Sequence, residues 1–167
     1  MTAVVGTTAV TRRKLAAGPG SASEARRTVS KACAEVGEEP LLEDAHSIAS
    51  ELVTNAVVHA RTVIDLTVRA GGGAVRIAVG DGSHQRPTVL PTDVEALRGR
   101  GLMLVDALSF VWGIDPSPPG KTMRAQLMSP VPPSDAALAV SWPSRTSLMG
   151  VGARDSSWPA PTGRASG

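Results

Sequence analysis

Residues 41–60 read LLEDAHSIASELVTNAVVHA. Leu41, Leu42, Ala45, Ile48, Ala49, Leu52, Val53 and Ala56 recur at helical period and form one apolar stripe. Pro40 suits the first turn of such a helix, where a missing N–H costs little. Beside the stripe, Glu51, Asn55 and His59 stand at i, i+4 and i+8 and share a face. A carboxylate and an amide one turn apart can work together. Asn offers Mg²⁺ a neutral oxygen, and Glu can take a proton from a nearby nucleophile. A solvated or capped helix face is the plainer reading of the same residues.

Upstream, Val10 to Leu15 reads as a short edge strand whose basic residues discourage edge pairing. Gly18-Pro19-Gly20 breaks the chain. Ser21 and Glu24 have capping-box spacing and start a helix to about Val36, before Gly37. Downstream, Val63 to Val68 alternates, Gly71-Gly72-Gly73 turns, and Ala74 to Val79 alternates again, as a hairpin does. A polar, Pro-punctuated loop runs from Gly80 to Gly99, long enough to be functional. Leu102 to Leu108 returns to helix and Phe110 to Ile114 to strand. The Pro116–Gly120 turn then leads to a last strand, Thr122 to Leu127. This order predicts an α+β two-layer sandwich, helices on one face of a mixed, mostly antiparallel sheet. The domain spans residues 10–128 after a flexible 1–9. The remaining 129–167 reads as a disordered tail, because 24 of its 39 residues are Ser, Pro, Ala or Gly. Trp142 and Trp158 stand out in that tail, either as incidental aromatics or as anchors for a partner.

With 17 Lys+Arg against 15 Asp+Glu the 167-residue chain carries a net charge of +2, and its pI is near 9.2. The excess does not mark a nucleic-acid binder. Residues 23–128 hold eleven bases against thirteen acids, net −2, while the basic surplus sits in the two flanks. No helix-turn-helix pattern is present. A single cysteine, Cys33, allows neither an intrachain disulfide nor a multi-thiolate metal site, in keeping with a reducing cytoplasm. No apolar run approaches the ~18 residues a membrane span needs.

Glycines open the short helix at Arg98-Gly99-Arg100-Gly101-Leu102, where free backbone N–H groups and the positive helix end can meet an anion. Gly120-Lys121-Thr122 is not a P-loop. That pattern requires glycine at 115, where Asp115 stands, and GKT here precedes a strand. Asp81 ends a buried-looking strand, placed to cap a turn or to accept a hydrogen bond from an exocyclic amine.

Four stretches in this order carry a family resemblance: ELVTNAVVHA (51–60), VGDGSHQRP (79–87), GRGLMLVDALSFVWG (99–113) and GKTMRAQL (120–127). Over roughly residues 10–128 the chain resembles the GHKL (Bergerat-fold) ATPases, in particular their stand-alone anti-sigma-factor-like branch related to bacterial serine kinases. The resemblance implies ATP and Mg²⁺ as ligands, with Asn55 on the metal and Asp81 on the adenine amine. It implies that Gly82, Arg98, Gly99, Arg100, Gly101 and Leu102 line the nucleotide. Thr122 would bring the family's hydroxyl near the adenine, and Glu51 would act as general base toward a protein serine. Lys121 is read either as a surface charge or as part of the site, and His59 as packing at the helix end.

There are departures from the pattern. Val58 stands where many relatives carry a base, and Arg124 where an aromatic is common. GSHQRP after Asp81 differs from the Gly-x-Gly of sensor kinases. The function implied is a serine protein kinase of anti-sigma type, partnered by a sigma factor or by its antagonist (anti-anti-sigma) protein, with a homodimer also admitted. A non-catalytic ATP-sensing module and a histidine-kinase-like ATPase domain acting alone are the alternatives.

Overall fold

Gly72 and Gly73, both at positive φ (65° and 76°), make a two-residue turn that suits the twist of the strands on either side. It joins β2 (Ile64–Gly71) to β3 (Ala74–Asp81) with Gly71 opposite Ala74. The structure is a computed structural model that describes residues 8–84 and 100–130. The remaining elements are β1 (Ala9–Leu15), α1 (Ser21–Val36), a 3-10 turn (Glu39–Leu41), α2 (Leu42–His59), α3 (Arg100–Leu108), β4 (Val111–Ser117) and β5 (Gly120–Met128). Residues 1–7, most of the expected long loop (85–99) and nearly all of the expected tail (131–167, with Trp142 and Trp158) lie outside the described residues.

The sheet order is β1-β2-β3-β5-β4, and every described pairing is antiparallel. The parallel component that the sequence left room for is absent among the described residues. β3 and β4 do run the same way, joined through α3, but β5 hairpins back from β4 and inserts between them. Pro116 lies within β4 and not in the turn. β4 is an edge strand, where a missing N–H is tolerated.

Alternation then sorts the side chains. Ile64, Leu66, Val68 and Ala70 on β2, Val75, Ile77 and Val79 on β3, and Met123, Ala125 and Leu127 on β5 face the helices and are buried. Ile48, Ala49, Leu52, Val53 and Ala56 of the α2 stripe complete the core with Ala25, Val29, Ala32 and Cys33 of α1. Polar ties hold the two helices in register. Ser30 Oγ pairs with His46 Nε2 at 2.8 Å, and Arg26 donates to Ser50 Oγ at 3.0 Å. At the far end, Glu38 accepts the Gly73 N–H at 2.7 Å and clamps the hairpin tip to the helix pair. Trp112 Nε1 on β4 donates to Asp106 on α3 at 2.8 Å.

One expected cap is not formed. Gly20 is the N-cap of α1, and no side chain caps that helix end. Ser21 lies inside the first turn and turns its hydroxyl back to the preceding loop. Its Oγ lies 2.6 Å from the Ala16 carbonyl and accepts the Gly18 N–H at 3.0 Å. The Gly-Pro-Gly corner supplies closer partners than the helix does.

Burial, then the nearby Glu38 and Glu39, push the Cys33 thiol from an ordinary 9.0 up to about 11. Folding therefore favours the protonated thiol. Its contribution to stability is complete below pH 9 and is lost as pH rises toward 11. At pH 8 the native thiol should react with a disulfide reagent roughly a hundredfold more slowly than the unfolded chain. Equal rates for native and urea-unfolded protein would contradict this placement.

Candidate functional site

Glu51 and Asn55 lie one turn apart on α2, half-buried beside the fully packed Leu52, Val53 and Ala56. Neither makes a side-chain hydrogen bond to any described residue. The first turn of α3 lies directly against Glu51. A Cβ on Gly101 would overlap Glu51 Oε2 and stand 3.3 Å from its Cδ. Glycine at 101 thus brings a helix N-terminus, with its partial positive charge, onto the carboxylate.

The end of β3 is fastened from two sides. After α2, Ala60 and Arg61 both donate to the Ala56 carbonyl, and Arg61 adopts a positive φ of 53°. This abrupt exit sets Thr62 to accept the Gly82 N–H at 2.9 Å. On the other side β5 begins. A Cβ on Gly120 would overlap the Asp81 carbonyl oxygen and lie 2.7 Å from the carbonyl carbons of Asp81 and Gly82.

That approach brings together an acid and a base. Asp81 Oδ1 accepts the Ser83 N–H at 2.8 Å and the Lys121 ammonium at 3.0 Å. Lys121 also donates to the Ser83 carbonyl at 3.3 Å. The two side chains are 2% and 7% exposed, so the pair lies out of water, where removing one partner would strand the other. Asp81 Oδ2 takes no hydrogen bond from a described residue.

Asp81 thus stands at the end of β3, the Glu51–Asn55 face lies on α2, and the glycine-opened start of α3 is set against Glu51. The model of the histidine kinase-like ATPase domain matches residues 15–127, well over half of the sequence. The chain belongs to this family. No curated protein matches it significantly.

GHKL ATPase domains bind ATP, typically with Mg²⁺. The residues present fit such a ligand. The Asn55 amide and Asp81 Oδ2 are acceptors that no described residue uses, and the start of α3 supplies a glycine-cleared helix end. Among the described residues there is no cluster of His, Cys, Asp and Glu that would hold a metal unaided. No helix among them is long and apolar enough to cross a membrane.

Of the residues singled out in the sequence, the histidine kinase-like ATPase domain brings Glu51, Asn55 and Gly101 together on the α2–α3 side. It sets Asp81 and Gly82 at the end of β3. Leu102 is 3% exposed and packs in the core with Val105, so its side chain holds α3 in place. Arg98 and Gly99 lie outside the described residues, and Arg100 is the first residue of α3.

The strand register bears on two further residues, Thr122 and Lys121. Thr122 stands opposite Gly80 and Asp115, on the sheet face away from the helices, with its Oγ1 3.4 Å from where a Gly80 Cβ would be. Neighbouring strand residues face opposite ways, so Thr122 and the Asp81 carboxylate stand on opposite faces of the sheet. Lys121 is the residue opposite Asp81, and it is buried, not a surface charge. The signal was available: position 121 is in phase with the apolar Met123, Ala125 and Leu127. The parts of Thr62 and Ser83 rest on tertiary contacts and left no mark in the sequence.

Proposed function

We propose that this chain is an ATP- and Mg²⁺-dependent regulatory protein of the anti-sigma-factor type. In this reading it phosphorylates a serine of a small antagonist protein, alternately engages that protein and a sigma factor, and so controls transcription. The observation that carries the reading is the Glu51–Asn55 face with Glu51 set against the first turn of α3. A binding module alone gives no reason to keep a carboxylate there.

In this reading ATP supplies the phosphoryl group, and Mg²⁺ neutralises charge on its phosphates. Asn55 offers the metal its amide oxygen. Asp81 accepts the adenine amine, beside Gly82. Arg98, Gly99, Arg100 and Gly101 bring backbone N–H groups and positive charge toward the phosphates. Glu51 orients the serine hydroxyl and takes its proton as the oxygen attacks the γ-phosphorus and the bond to the bridging oxygen breaks, releasing ADP. Positioning and charge neutralisation are most of what phosphoryl transfer requires.

The test is transfer of labelled phosphate from ATP to the antagonist proteins of the same cell. Wild type should label a serine. Glu51→Gln should be about a hundredfold slower with nucleotide affinity unchanged. Equal labelling by the variant would remove Glu51 as base. Tight ATP binding without labelling of any antagonist would replace the kinase by a nucleotide-gated binding module.

A further inference from the structure

Lys121 does more than neutralise Asp81. An ammonium carries three N–H donors. Two are engaged, one by Asp81 Oδ1 and one by the Ser83 carbonyl. No described residue takes the third. Asp81, an acceptor with two oxygens, has both of its described hydrogen bonds on Oδ1 and none on Oδ2. Counting the described residues alone, the buried pair has one spare acceptor and one spare donor, held on neighbouring strands by the direct opposition of Asp81 and Lys121. Its geometry is fixed on three sides. The Ser83 N–H orients the carboxylate, the Ser83 carbonyl orients the ammonium, and Gly120 lets β5 approach closely enough for the salt bridge to form.

An acceptor beside a donor matches the six-membered-ring edge of adenine, where the 6-amino group donates and the adjacent ring nitrogen N1 accepts. Guanine presents the reverse at those atoms, a 6-oxo acceptor and an N1–H donor. In the same pose it would set acceptor against acceptor and donor against donor. We infer that Lys121 is a specificity-determining residue that donates directly to adenine N1 while Asp81 accepts from the 6-amino group. This rests on the reading of Asp81 as the adenine contact. The pair also enters the interface neutral as a whole, so an apolar ring can cover it without stranding an unpaired charge.

The chain has only three lysines, Lys14, Lys31 and Lys121. Lys14 and Lys31 are largely exposed, so the one buried side-chain ammonium can be followed by nitrogen NMR in the intact protein. ADP and 1-deaza-ADP, which carries C–H in place of N1, are the probes. ADP should shift the Lys121 ammonium resonance, and 1-deaza-ADP should bind about 10- to 100-fold more weakly without that shift. In Lys121→Met, or in Lys121→Gln if the first variant does not fold, the ratio of the two dissociation constants should fall to within about threefold of unity. Equal affinities of wild type for the two ligands would overturn the inference, because N1 would then have no donor. An unchanged ratio in the variant would also overturn it, assigning the N1 contact to another group. If wild type binds neither ligand, the adenine reading of Asp81 itself fails.

Discussion

Gly120→Ala is expected to destabilise the fold by about 3 kcal/mol or more, lowering the melting temperature by roughly 10–20 °C. The new Cβ would run into the carbonyl oxygen of Asp81 and crowd the carbonyl carbons of Asp81 and Gly82. These are backbone atoms of the neighbouring strand and cannot rotate aside. β5 has to draw back from β3 at the point where Lys121 meets Asp81, so strand pairing and the buried salt bridge suffer together. Gly101→Ala is the informative comparison. Its Cβ meets the tip of the Glu51 side chain, which can swing away, so stability should change far less while the α3 end is disturbed. Thermal melts of both variants decide the matter. A Gly120→Ala protein melting within about 3 °C of wild type would refute the close approach.

Lys121→Met is expected to cost about 3–5 kcal/mol, because Asp81 is left in a site out of water without its counter-ion. Replacing both partners, as in Asp81→Leu with Lys121→Met, should recover most of that loss, since neither charge is then stranded. The double variant, which also lacks the Asp81 carboxylate, should bind ADP more weakly than Lys121→Met does. Urea unfolding of the two single variants and the double variant, with ADP titration of each folded protein, separates the two effects. A double variant no more stable than the worse single would mean that the pair is not a coupled unit.

The sequence discloses most of the fold because each element carries its own local signal. The α2 stripe from Leu41 to Ala56 and the alternation on either side of Gly71–Gly73 are properties of single segments, and both are found where expected. The Glu51–Asn55 face is likewise fixed by helical spacing. What lay hidden depends on contacts between segments. Ser21 has capping-box spacing, but the Ala16 and Gly18 carbonyls compete for its hydroxyl. Matching the last motif as a string picks out Thr122 for its hydroxyl, yet strand alternation turns that hydroxyl away from the helices. Lys121 looks like a surface residue until Asp81, forty residues earlier in the chain, is found directly opposite. The insertion of β5 between β3 and β4 makes that meeting, and nothing local announces it.

The Trp112–Asp106 hydrogen bond gives the molecule an optical gauge. Trp112 sits on the edge strand β4, and its indole is tethered to α3, the helix whose first turn faces Glu51. The other tryptophans, Trp142 and Trp158, lie beyond the last strand. With those two replaced by phenylalanine, the indole emission would come from a single ring tethered to α3. Loss of the β4–α3 contact on unfolding could then be followed in solution from the protein's own fluorescence, without attaching a dye.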